Sequence, residues 1–476
     1  MARELKEFLV RMERELPSHL VSVEREVDPA AFQVTAILQQ LEDAGRYPLV
    51  IFERPKNLRG EPSRFRLATN LFASRQRCAL ALGLPPDEWK LPLSLEYARR
   101  EAIRIDPEIV PRAQAPVKQC VSRGEDVDLR ELPIVRHHHM DPAPYIDMAA
   151  VMRDPVHGHY NAAFLRNMYK GPRRVGVHMS PRHNWQIVRK NEERNRPTPV
   201  AIVVSHHPAF YLGALNVSPF GEDDYRIIGA MLGEPLRLTA SETWGEDLLI
   251  PADADIVIEG EVLPGVREIE GPFGEFPGTY GPQRLRWVID VKAMSHREDA
   301  IYTDVFVGHR DNWILGAIPK EGTLFNRIKG VVPTVQAVHL PDAGCGRFHC
   351  HIAIDKKVNG ESKQAALIAL GEVDFIKYVV VVDQDIDPFN TEEVLWAMAT
   401  RVQAHEDIDI IKNVKGNMLD PSLTDDILTS KVIIDATIPL GRVFPERNRV
   451  PEDAIRRTPL AAFVEPAELE HPALHP

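Results

Sequence analysis

Asp147-Met-Ala-Ala-Val-Met152 is a short apolar run with turn-forming residues on both sides, and it is the first of a series. Arg174-Val-Gly-Val-His178, Val200-Ala-Ile-Val-Val204, Ala254-Asp-Ile-Val-Ile258 and Trp287-Val-Ile-Asp-Val291 follow it. Runs of this length, rich in β-branched residues, read as strands. So many of them between residues 146 and 310 favour a sandwich or a barrel.

The texture differs on either side. Upstream, Leu5, Phe8, Leu9 and Met12 fall at i, i+3, i+4 and i+7, one face of an amphipathic helix. Val34, Ile37, Leu38 and Leu41 repeat the pattern, and Tyr47-Pro-Leu-Val-Ile-Phe52 reads as a buried strand. Helices alternating with a strand predict an α/β domain. Residues 101–145, rich in proline and charge, read as connection rather than core. Downstream, Tyr378-Val-Val-Val-Val-Asp383 carries the near-continuous apolar signature of a parallel strand. Ser362 is placed to cap a helix running to Leu370, with Gly371 as its stop. Asn390-Thr-Glu-Glu393 has the form of a capping box, and Ser430 to Asp435 is a further strand. The proline-bearing tail from Pro451 reads as a mobile or partner-clasping arm.

The chain has 476 residues, 44% apolar and 26% charged, which predicts two or three globular domains. A net charge of −12 without a basic face argues against nucleic acid. A charged start and the lack of any apolar run near about 18 residues predict a cytoplasmic chain with no membrane span. Four cysteines are too few for a disulfide scaffold.

Two constellations can carry chemistry. Glu270-Gly-Pro-Phe-Gly-Glu275 puts two carboxylates on one tight turn, where they can face one cavity. Paired acids in a dry site push their proton affinities apart, so one can donate while the other stays charged. On spacing alone, two solvated turn glutamates are the simpler reading. The second constellation is Asn161, Arg166 and His183. Arginine suits a carboxylate, and Asn, His and an acid together suit a divalent metal that also holds a phosphate oxygen. An ordinary surface arginine and a loop histidine are the stronger reading until something links them.

Histidines also gather at His137-His138-His139, at His206-His207 and around Cys345, His349, Cys350 and His351. The last group suggests zinc, but adjacent residues in a strand alternate faces, so a structural role is favoured. No Walker loop, dinucleotide glycine fingerprint, Gly-x-Ser-x-Gly elbow or His-Glu-x-x-His occurs.

In order and spacing, these residues resemble the UbiD-type decarboxylases, which use prenylated flavin mononucleotide. The resemblance runs from the helix at Leu5 through the Asn161/Arg166/His183 block, Pro251 to Gly260, Glu270 to Glu275 and Asp383-Gln-Asp-Ile-Asp-Pro388 with Val394 to Arg401, ending near Thr437. It implies an α+β fold: an N-terminal α/β domain (1–115), a central split β-barrel like that of flavin reductases (116–316), and a C-terminal α/β oligomerisation domain with its tail (317–476). It implies that Arg166, Glu270 and Glu275 form the catalytic network, with Arg166 orienting the carboxylate and Glu275 as proton donor. It implies that Asn161 and His183 ligate manganese or magnesium. The third ligand is usually glutamate, and here Asp224 stands in its place, with Glu222 as the alternative. Asn161, Arg166 and Lys377 would hold the cofactor, Lys377 at its phosphate, and potassium is expected at the carbonyls of Ala214 to Asn216. His309 and Arg310 would reach a second polar group of an aromatic, heteroaromatic or α,β-unsaturated acid. A flavin prenyltransferase would supply the cofactor, and a homo-oligomer, dimer or hexamer, is expected. The competing readings are a flavin-binding subunit without catalysis and a zinc hydrolase built on the histidine clusters.

Overall fold

The computed structural model describes residues 4–423 and 428–465. Contacts divide the chain into one large unit, residues 1–437, and a small one, residues 438–476.

The N-terminal helices form where the apolar periodicity places them. Helix α1 (Leu5–Glu15) buries Leu5, Phe8 and Met12, and α2 (Gln33–Asp43) buries Val34 and Leu38. They accompany a sheet in which β1 (Leu20–Val23) runs parallel to β2 (Leu49–Phe52), and β2 antiparallel to β3 (Arg66–Thr69). All four residues of β2 are buried. The strand Ile301–Thr303 returns from far downstream to lie parallel to β3.

Six strands close the barrel: β4 (Tyr145–Arg153), β5 (Tyr160–Gly171), β6 (Arg174–Val177), β7 (Thr198–Ser205), β8 (Ile256–Val262) and β9 (Arg284–His296). The order β8-β7-β4-β5-β6-β9 is antiparallel throughout, and β9 pairs back onto β8 to complete the ring. Closure removes the free edges that short strands would otherwise expose. Helices α3 (His183–Glu192) and α4 (Asp224–Leu232) pack against β5.

One expectation fails in part. Residues 101–145 are not mere connection: Val117, Leu129, Leu132, Ile134 and Val135 are fully buried in the main core, and Cys120–Arg123 pairs with β9. Their backbone hydrogen bonds go largely to 3-10 turns and neighbouring strands rather than to a continuous element. A core contribution so distributed leaves no periodicity to read.

Helix α5 (Arg310–Lys329) leads into the C-terminal sheet, which comprises β10 (Val335–His339), β11 (His349–Ile354), β12 (Tyr378–Asp383), β13 (Ile408–Lys415) and β14 (Leu428–Ala436), in order β10-β11-β12-β14-β13. Strand β12 is parallel to both neighbours. Val379 and Val381 enter one apolar cluster and Val380 and Val382 another, so both faces are covered. Helix α6 (Glu361–Glu372) departs from expectation. Its N-cap is Gly360, at φ 96°, and Gly371 lies inside it. Ser362 instead donates its hydroxyl proton to Asp435 on β14, a partner that sequence spacing cannot reveal. Helix α7 (Thr391–Arg401) is capped by Asn390, whose side chain accepts from the N–H groups of Glu392 and Glu393. Glu393 also accepts from the N–H of Asp387 at 3.2 Å, which ties the helix start to the preceding turn.

In the small unit, the described residues hold a short helix, Glu452–Arg457, and a 3-10 turn, Leu460–Ala462. The remainder of the predicted arm, residues 466–476, lies outside the described residues. Among the described residues, no helix is long and apolar enough to cross a membrane.

Candidate active site

Arg166 sits midway along β5, and its guanidinium gathers both glutamates. Nε and Nη2 donate to the two oxygens of Glu270 at 2.9 and 2.8 Å, and Nη1 donates to Glu275 Oε1. A two-toothed fork on a carboxylate is the strongest geometry that a guanidinium makes. Glu270 is fully buried, whereas the Glu275 side chain keeps 12% exposure. The solvated-turn reading is therefore excluded for Glu270: a buried carboxylate without its cation would carry a heavy desolvation cost.

The local chain explains the convergence. Glu270 ends a strand paired with β9, and Gly271, at φ +84°, turns the chain. Phe273–Gly274 then pairs with Tyr280–Gly281, and the N–H of Glu275 donates to Thr279 O. Gly281 lies against the proton-donor candidate: a Cβ there would stand 3.0 Å from Glu275 Oε1. Gly274 likewise makes room for the ring of His138, and its N–H donates to Asp141 Oδ1 at 3.1 Å. The Arg166 guanidinium also stands 5.0 Å from the centre of the Phe273 ring.

Residues that spacing did not assign surround this trio. Asp147 is the register partner of Arg166 across β4 and β5. Buried His137 lies 3.4 Å from Asp147 and 2.8 Å from Asp304. Burial opposes charge on His137, but Asp304 and then Asp147 outweigh it and lift its pKa to about 9. Burial drives the Asp147 carboxyl well above the usual range. His178 lies across from the same region, its proton affinity lowered by burial and then by Arg166, Arg286 and Arg284. The triple histidine was the visible signal for the first group. Nothing in the sequence paired His137 with Asp304.

The expected metal ligands meet in part. His183 Nδ1 and Asn161 Oδ1 are 3.0 Å apart, and Asn161 Nδ2 donates to Asn184, which turns its oxygen toward the histidine. Burial, then Arg182, lowers the His183 pKa, which favours the neutral ligating form. Asp224 accepts from the Ala162 N–H at 2.7 Å and from Asn216 at 2.9 Å. Ala162 directly follows Asn161, so Asp224 grips the backbone next to that ligand candidate, and among the described residues no hydrogen bond joins it to His183. Burial pushes its carboxyl up to about 7, a condition that a nearby divalent cation would relieve. Glu222 is paired with Arg104 at 2.8 Å. One amide oxygen, one imidazole and one buried carboxylate suit manganese or magnesium.

The remaining candidates make contacts of their own. Lys377 bonds Asp420 at 2.8 Å and Ser422 at 2.6 Å. His309 stacks on Phe306 at 3.6 Å and meets Glu42 at 2.9 Å. Arg310 pairs with Asp342, covers the Tyr47 ring and lines a separate cavity of about 620 Å³ beside Arg46 and Trp89. Asp342 and the Tyr47 ring thus engage the Arg310 guanidinium. In the cysteine–histidine group, Cys350 is buried, His351 donates to Pro388 O, and His349 stacks on Tyr378. Among the described residues, no three His, Cys, Asp or Glu side chains are placed to hold a metal, which gives the zinc reading no support.

Comparison with known proteins decides the family. Three models of the 3-octaprenyl-4-hydroxybenzoate carboxy-lyase match in sequence: its N-terminal domain over residues 13–89, its Rift-related domain over 108–310 and its C-terminal domain over 313–436. The chain belongs to the UbiD family. By class it is a decarboxylase. The phenolic acid decarboxylase of Sedimentibacter hydroxybenzoicus is 32% identical over 94% of this chain and 93% of its own. The anhydromevalonate phosphate decarboxylase of Methanothermobacter thermautotrophicus is 37% identical over 67% of this chain and 75% of its own. Among solved structures, the UbiD-class enzyme HmfF from Pelotomaculum thermopropionicum, in complex with FMN, superposes with a TM-score of 0.90 at 38% identity. It covers 97% of this chain and 100% of its own. An evolved dimeric form of HmfF, in complex with prFMN, gives 0.87 at 36% identity over 97% of this chain and 100% of its own. The closed six-stranded barrel between N- and C-terminal α/β layers is thus the fold that the UbiD resemblance implies.

Proposed function

We propose that this UbiD-family chain catalyses the reversible, non-oxidative decarboxylation of an aromatic, heteroaromatic or α,β-unsaturated carboxylic acid, with prenylated FMN as cofactor. The observation that carries the reading is Arg166 held between Glu270 and Glu275. The cofactor, when bound, supplies the electron sink that decarboxylation of an unsaturated carbon needs. Arg166 has five N–H donors, of which these contacts use three. The other two remain to orient the substrate carboxylate. Glu270, gripped twice, fixes the fork and keeps a negative charge beside it. Glu275 meets Arg166 through Oε1, which leaves Oε2 to deliver a proton to the carbon that loses carbon dioxide. In the reverse direction, the same oxygen removes that proton.

Asn161, His183 and Asp224 would hold a divalent ion, manganese or magnesium, that ties down the cofactor phosphate. Lys377 would join it there, exchanging its bonds to Asp420 and Ser422. The carbonyls of Ala214 to Asn216 would hold potassium, in the bend whose Asn216 side chain donates to Asp224. Supply of the cofactor by a flavin prenyltransferase and assembly as a homo-oligomer through the C-terminal domain complete the reading. We retain the division at residues 115 and 316 as its domain scheme.

The test is the Glu275→Gln variant, produced together with a flavin prenyltransferase. Carbon dioxide release should fall at least about a hundredfold, the usual range for loss of a positioned acid, while flavin content stays that of the parent. Full turnover in that variant would remove Glu275 as donor.

A further inference from the structure

Arg347 and Lys320 are cations without counterions. Arg347 lies in the loop before β11, with its guanidinium over the bare Cα of Gly316, where any Cβ would collide with it. It stands 4.5 Å from the centre of the Phe276 ring, and Nη1 donates to Cys345 O at 3.3 Å. Lys320, on α5, donates to Gly316 O at 2.6 Å. Neither forms an ion pair among the described residues. The acids within electrostatic reach of Lys320 are committed elsewhere: Asp374 lies 3.6 Å from Arg182, and Glu101 accepts from the Val217 N–H and the Thr323 hydroxyl. Desolvation pushes Lys320 down to about 7 and Arg347 to about 10. Both residues are nonetheless only partly buried, so neither belongs to the closed core.

The position of this pair ties it to catalysis. Phe276 directly follows Glu275, and its carbonyl accepts from Trp313 Nε1 at 2.7 Å. The ring beneath Arg347 is therefore fixed at the proton-donor end of the site. An unpaired guanidinium in a desolvated position is unfavourable until an anion meets it, and its fork fits a carboxylate or phosphate.

We propose that Arg347, backed by Lys320, receives a second anionic group, a carboxylate or a phosphate monoester, carried by the substrate away from the carboxylate that is lost. This inference rests on the decarboxylase reading above and narrows its substrate class to dianionic acids. It also moves that role from Arg310, which Asp342 already neutralises, to a loop more than thirty residues downstream.

Equilibrium binding to the flavin-loaded enzyme tests it without turnover. Benzene-1,4-dicarboxylate should bind at least about tenfold more tightly than benzoate. Arg347→Met should erase that difference and leave benzoate binding and flavin absorbance unchanged, while Arg347→Lys should keep part of it. Equal affinity for the two acids in the parent enzyme overturns the proposal whatever the variants do. Loss of flavin in Arg347→Met with the preference intact also overturns it, assigning the pair to the cofactor phosphate instead. Failure of the decarboxylase reading would look different: the diacid preference would persist, with no carbon dioxide from any acid.

Discussion

Glu270 and Glu275 are five residues apart in the chain, but Arg166, a hundred residues away, makes them one unit. Spacing could place two carboxylates on a turn, and only the guanidinium between them separates a site from a solvated loop. The same holds for His137. Its histidine run was conspicuous, yet its partners Asp147 and Asp304 come from β4 and from the strand end after Thr303. With a folded pKa of about 9 against roughly 6.5 unfolded, protonated His137 stabilises the fold fully below about pH 6.5. That contribution drains away as pH rises toward 9, by up to about 3 kcal/mol. Urea unfolding at pH 6.5 and 9 should show the loss, and His137→Asn should flatten it; a parent profile flat over that range would count against the charged imidazole. At the proposed metal site, His183→Ala should lower flavin retention through purification, read as absorbance per protein. Unchanged flavin would discard His183 as a ligand.

At the scale of elements, the hairpin Phe273–Gly274/Tyr280–Gly281 does the positioning. Its glycines are there for space, because His138 rests on one and Glu275 on the other. Gly281→Ala leaves the backbone comfortable but presses on Glu275 by a few tenths of an ångström. Turnover should drop roughly tenfold to a hundredfold, the scale of a small misplacement of a catalytic group, while thermal unfolding stays nearly that of the parent. A matching loss of stability would show that the glycine serves folding instead. The helices tell a complementary story. Helices α1 and α2 were readable because one amphipathic face meets one core. The start of α6 differs because the Ser362 hydroxyl, in place of accepting from helix N–H groups as a cap, donates to Asp435 on a distant strand.

For the molecule as a whole, the buried ion pair of Arg75 with Glu321, at 2.6 Å, joins the N-terminal layer to α5, and His339 adds a third partner at 2.8 Å. Burial opposes charge on Glu321, but Arg75 and His339 hold its carboxyl far below the ordinary range. Glu321→Ala should cost about 3–5 kcal/mol, because it strands a buried guanidinium. Chemical denaturation should register this loss with little dependence on salt; a change below about 1 kcal/mol would mean that the pair is solvated in solution.

The sequence by itself determined the classes of element and the barrel-or-sandwich character of the centre. Through the family resemblance it also singled out Arg166, Glu270 and Glu275, which the fold joins by hydrogen bonds, and Asn161 and His183, which it sets 3.0 Å apart. Those features depend on local periodicity and on short motifs, which the chain states directly. Tertiary structure alone decided that residues 101–145 belong to the core and that Ile301–Thr303 completes the N-terminal sheet. It alone paired Arg310 with Asp342 and set Arg347 beside Phe276, with no ion pair for Arg347 among the described residues. These outcomes depend on which distant groups compete for one partner and how much water is excluded around them. Both are properties of the packed chain, and no window of sequence contains them.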